Sequence, residues 1–159
     1  MSDSNAGQST LINRLSALEK AILDQALPGM QVYIDLINSN SRLTNTRLTD
    51  TTSTPVKDIV REWIDTCEKL RTYGLAIRDR LKAGHDGLAE FAAGIVDEME
   101  GATTRIKPLL RLLQKDRKLR ESIGPRGAEM ETHGPVHLLG KIEQEIRALR
   151  NQMETLKQN

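Results

Sequence analysis

The chain has 159 residues, of which 28% are charged and only 3% aromatic, a mix that suits helices packed through aliphatic seams and not a β-sandwich or a doubly wound sheet. A formal net charge of +1 supplies no global field to draw in nucleic acid or a membrane. The one cysteine, Cys67, excludes an internal disulfide and a cysteine-rich zinc site, and no apolar run approaches the roughly 18–20 residues of a membrane span.

Residues 1–8 are small and polar and are expected to be disordered, without the basic and apolar regions of a signal peptide. Ser9 or Thr10 can cap a helix over 9–27, where Leu11, Leu15, Leu18, Ile22 and Ala26 share one face. Pro28 and Gly29 interrupt the pattern. A second helix is expected over 29–38, carrying Met30, Tyr33, Ile34 and Ile37 and meeting the first at Pro28, in preference to one kinked helix through both segments. Residues 39–54 are rich in Ser, Thr and Asn, which compete locally for backbone hydrogen bonds, and read as a flexible loop tethered by Leu43 and Leu48. The loop is read as a linker, with a phosphorylated or partner-ordered segment as the functional alternative.

Thr54 followed by Pro55 is a start signal, a capping hydroxyl and then proline in the first turn. The helix over 55–82 presents Val56, Ile59, Val60, Trp63, Cys67, Leu70, Gly74, Ile77 and Leu81 on one face. Gly74 allows a close helix approach or a bend, and Arg78 and Arg80 are assigned to solvent. A turn at 83–87 contains Gly84, His85 and Gly87, with Asp86 as the expected cap of the next helix. That helix is expected over 87–123. Its period continues past Pro108, which frees the carbonyl of Thr104 and predicts a kink and not a stop. Residues 124–134, with Gly124, Pro125, Gly127 and Gly134, read as a second loop.

The helix over 135–157 has the most regular repeat. Leu139, Ile146 and Met153 fall at heptad position a, and Ile142, Leu149 and Leu156 at d. Glu145 at g and Arg150 at the following e can meet across a parallel pair. This seam serves either as the core face of a bundle helix or as a contact with another chain. Leu139, Ile142, Ile146, Leu149, Arg150, Met153 and Leu156 are therefore the candidate protein interface, with Leu11, Leu15, Leu18 and Ile22 as a second seam.

Other chemistry is weaker. Seven basic residues, Arg105, Lys107, Arg111, Lys115, Arg117, Lys118 and Arg120, outweigh Asp116 and Glu121 between 105 and 121. They are candidate phosphate contacts, but no aromatic side chains interleave to stack bases. Cations in the C-terminal half of a helix also complement its dipole, and their stems can lie over the Leu109, Leu110, Leu112 and Leu113 cluster. His133 and His137 are four apart and could share a metal, but Gly134 and Pro135 stand between them. Cys67, on an apolar face, reads as a buried and inert thiol. Asp97, Glu98 and Glu100 read as a solvated acidic face, because the Glu-x-x-His motif of di-iron bundles is absent.

Phosphate-binding glycine loops and the Gly-x-Ser-x-Gly elbow are also absent. The expectation is an all-α, up-and-down bundle over 9–158, built on the 55–123 hairpin. Its expected role is a non-enzymatic module or scaffold subunit, without a cofactor, in the cytoplasm in preference to the nucleus. Its partner is another protein or a second copy through helix packing, and nucleic acid is the alternative.

Overall fold

The computed structural model describes residues 2–48 and 54–158. The fold is all-α, and four long helical rods pack in a ring as an up-and-down bundle.

The first rod is α1 (Ser2–Lys20), a π-helical turn (Ala21–Ala26) and α2 (Leu27–Ser39). Contrary to the expectation of two helices meeting at Pro28, the backbone stays right-handed helical from Lys20 through Leu27. Pro28 has no N–H to offer, and its ring would crowd the preceding turn. The turn before it loosens instead, with the Leu27 N–H donating to the Ile22 carbonyl five residues back. Helix also extends back through residues 2–8, which were expected to be disordered. Tertiary bonds hold the last two of these residues: the Gln152 amide donates to the Gly7 carbonyl, and the Gln8 amide to the His85 carbonyl. Met1 lies outside the described residues.

The expected loop after residue 38 contains a short helix, α3 (Ser41–Thr44), capped by Asn40, whose side chain accepts from the Arg42 N–H. Leu43 and Leu48 are buried and tether the segment, as expected. The chain then returns to form an isolated antiparallel bridge between Arg47 and Pro55. Residues 49–53 of this loop are not described.

Helix α4 (Val56–Ala83) begins one residue later than expected. Pro55 is its N-cap, and the Thr46 carbonyl, not the Thr54 hydroxyl, takes the Val56 N–H at 2.9 Å. Trp63 is fully buried, with its indole N–H 3.4 Å from the Met30 sulfur. Gly74 serves close approach, since a Cβ there would stand 2.9 Å from the Leu23 side chain. The turn to the next helix needs glycine at Gly84 (φ 131°) and Gly87 (φ 70°). Asp86 is not the cap. Arg80, assigned to solvent, instead folds over the turn and donates to the carbonyls of Gly84 and Asp86. Arg78 likewise pairs with Glu19 at 2.7 Å.

Helix α5 (Leu88–Lys115) carries Pro108 without interruption but stops short of the expected 123. The Asp116 carboxylate accepts the Leu119 N–H at 2.9 Å and starts a new helix, α6 (Arg117–Ser122). This local cap wins because Asp116 is itself buried and Leu119 anchors the short helix in the core. Residues 124–134, expected as a loop, form α7 (Pro125–His133). Pro125 opens it at a position where its missing N–H is not needed, Gly127 fits against the Arg120 backbone, and Met130 is fully buried beneath it. The last rod is α8 (Pro135–Gln158), whose first free N–H, on Val136, donates to the buried Gln114 side chain.

Neighbouring rods run antiparallel. Arg78 to Glu19 and Trp63 to Met30 fix α4 against the first rod, and the tight turn fixes α5 against α4. Lys107 to Glu143 and Arg150 to Glu100 fix α8 against α5. Gly29 lies against Leu138 and Gly7 against Leu156, which closes the ring between α8 and the first rod.

Candidate functional site

The heptad seam of α8 faces inward. Leu139, Ile142 and Leu149 have no exposed surface, Ile146 and Met153 are buried, and Leu156 is half-buried against the same core. The seam is filled by the first rod and by α5, so these residues are not a surface for another chain. Leu11, Leu15, Leu18 and Ile22, the second candidate seam, are buried opposite them. A heptad stripe specifies that a helix buries one face, and here the chain supplies the partners itself.

Arg150 is not poised for Glu145 of another helix. Its guanidinium forks onto Glu100 (2.6 and 2.8 Å) and reaches Asp97 (2.6 Å), both on α5. The hydrogen bonds to Glu100, and then to Asp97, push its pKa further above the ordinary arginine value. The acidic face expected at 97–100 is thus partly neutralised by α8. Glu145 is half-buried, and one of its carboxylate oxygens has no hydrogen-bond partner among the described residues.

The basic run is divided. Lys107 bonds Glu143 (3.0 and 3.2 Å), Arg117 bonds Glu121 (3.0 Å) and Arg120 pairs with Glu131 on α7. Arg105, Arg111, Lys115 and Lys118 are exposed and make no ion pair among the described residues. Only these four keep their charge free for an outside anion or carboxylate.

The outer face of α5 has an order that the residue-by-residue reading missed. At 3.6 residues per turn, Glu90, Gly94, Asp97, Gly101, Pro108 and Lys115 align along one ridge, and all are exposed. Acids, Glu90, Asp97 and Glu98, occupy the first half of the helix, and Arg105, Arg111 and Lys115 the second. A groove of about 610 Å³ runs along one side of the ridge, between α4 and α5. Glu62, Asp65, Glu68, Asp97 and Glu98 line it against only Lys69 and Arg105. In this groove burial first, then the neighbouring Glu98 carboxylate, raises the Tyr73 phenol pKa. A second groove of about 600 Å³ on the other side, between α5 and α8, is lined by Ala89, Ala93, Met153 and Leu156 among others. The signal available in the sequence was the charge order along the polar face of 88–115, which is lost when the basic run is counted by itself.

The glycines inside the four long rods separate into two kinds. Gly7, Gly29 and Gly74 each lie against a leucine of a neighbouring rod. Gly94 and Gly101 have no atom within 4 Å of where a Cβ would stand. Each costs its exposed helix interior about 1 kcal/mol relative to alanine and leaves the space of a Cβ open among the described residues. Gly140 on α8 is open in the same way but stands alone.

The remaining candidates are simpler. His133 and His137 do meet across the Gly134 turn, with ring centroids 5.9 Å apart and edge to face, and both are exposed. The Thr132 hydroxyl lies 2.8 Å from the His133 Nδ1. Among the described residues no three His, Cys, Asp or Glu side chains gather as a metal would need. Cys67 is buried 3.7 Å from the Met30 sulfur, and burial pushes its thiol up to about 11. Among the described residues no helix is long and apolar enough to cross a membrane. In comparisons with known proteins the chain matches no family model, no curated protein and no solved structure.

Proposed function

We propose that the protein is a non-enzymatic interaction module, a subunit or adaptor that engages other proteins through the polar outer face of its helical bundle. One observation carries the reading. The outer face of α5 is exposed and ordered into an acidic and a basic half, with a groove on each side of its ridge. Such a surface offers register and partner choice through charge more than raw affinity. The apolar seams expected to do this work are filled by the core, so recognition moves to the outer face. The buried, high-pKa Cys67 thiol fits a bundle whose interior supplies packing and not reactivity.

The test is the size of the species containing the tagged full chain in extract from the cells that make it. The expected result is an assembly well above the 17.8 kDa of the chain, lost when Arg111 and Lys115 are both changed to Glu. A species of monomer mass at low salt overturns the reading. A large species that nuclease removes, with a steep salt dependence, replaces it with nucleic-acid association through the basic half of α5.

A further inference from the structure

We propose that the α5 ridge docks a second copy of this chain, antiparallel to the first, with the two-fold axis crossing near Gly101. The inference rests on the interaction-module reading and names its partner.

Charge order selects both partner and direction. A symmetric contact brings the same patch of two copies together. If the two α5 helices ran parallel, acid would face acid and base would face base. Run antiparallel about a point near Gly101, residues equidistant from that point face one another. Glu90 then stands opposite Arg111, a contact that occurs twice, while Lys115, at the end of the helix, comes to lie beside the turn that precedes the other copy's α5. Arg111 and Lys115 have no ion-pair partner of their own among the described residues. The helix therefore carries, on its exposed side, an acid and a free base that answer one another when it is read backwards.

The backbone allows the approach. Gly94 and Gly101 lie on the ridge with open space where a side chain would be. A symmetric crossing at Gly101 puts backbone close to backbone, as small residues at helix crossings permit. It also gives both glycines a use, which the chain by itself does not. Flanking side chains of the second copy have room in the two grooves beside the ridge. The acidic groove on the α4 side suits the other copy's basic half, Arg105 included.

The test is sedimentation of the purified full chain, with charge-swap variants. Wild type is expected to form a dimer by about 100 µM, where a micromolar contact is well populated. Arg111→Glu places Glu opposite Glu90 twice and is expected to weaken the dimer at least tenfold, as is Glu90→Arg. Mixing the two variants restores both contacts and is expected to yield a heterodimer of near wild-type affinity, a result that damage to the fold cannot mimic. Gly101→Leu is expected to abolish the dimer while the melting temperature holds or rises. A wild-type monomer at this concentration, or a dimer indifferent to Arg111→Glu, overturns the proposal. A purified monomer combined with an α5-dependent large species in cell extract overturns self-pairing alone and leaves the interaction module standing. Monomers in both settings overturn both.

Discussion

Helices α8 and α5 have nearly the same design, an apolar stripe backed by charges, and the bundle uses them in opposite ways. The α8 stripe is the more regular and is consumed entirely by the first rod and α5. The α5 stripe is consumed as well, but its back is exposed, ordered by charge and interrupted by two glycines with open space where a side chain would stand. Apolar periodicity reports that a face will be buried and is silent about which chain buries it. The polar face is where a helix can hold features its own fold does not need.

The sharpest way to break this contrast is to truncate the α8 seam. Leu149 has no exposed surface, so Leu149→Ala removes core volume and is expected to cost about 2–5 kcal/mol in urea denaturation. Because the seam is filled within one chain, the loss should not vary with protein concentration. A loss that shrinks as concentration rises would mean that a second chain covers the seam.

Most of the fold was legible for the same reason that this prediction is large. The inward residues of all four rods recur at three and four, and those positions are the buried ones. The pattern failed where tertiary contacts outweigh local signals. Pro28 looked like a boundary, but a π turn absorbs it within one rod. Residues 2–8 looked too polar to order, but helix runs through them, and Gly7 is held through its backbone carbonyl, which carries no side-chain signature. The period alone continued α5 to 123, whereas a buried Asp116 cap restarted it. The site was less legible than the fold. Pairing of Lys107 and Arg120 is decided by α8 and α7, so the basic run could not be fully divided into free and neutralised charges beforehand.

A chemical reporter on the inner face comes next. Burial holds the Cys67 thiol up at about 11, against about 8.5–9 for an exposed cysteine. The folded chain therefore keeps the proton that the unfolded chain releases. The stabilisation is complete below the unfolded pKa and is lost as pH rises from about 9 through 11, a span worth about 2–3 kcal/mol. Stability of Cys67→Ala should fall less steeply across this window than that of wild type, and native Cys67 should react slowly with thiol reagents at pH 8. Identical slopes would show that the thiol is solvated in the folded state and that this side of α4 is not the closed interior described.

The smallest effect compares one substitution at two glycines. Gly74→Leu forces a side chain where a Cβ would already stand 2.9 Å from Leu23 and 3.3 Å from Ile22, and overpacking of this kind costs about 1–3 kcal/mol. Gly101→Leu meets open space and replaces a poor helix former with a good one, so dilute monomer should gain about 0.5–1 kcal/mol. Thermal melts in high salt, which suppresses charge-guided pairing, read both shifts on the same baseline. Opposite signs would place Gly74 in the service of the fold and leave Gly101 with a cost that the single chain has no reason to bear. A destabilising Gly101→Leu in the monomer would mean that the outer face of α5 is packed after all, and the distinction between the two helices would not survive.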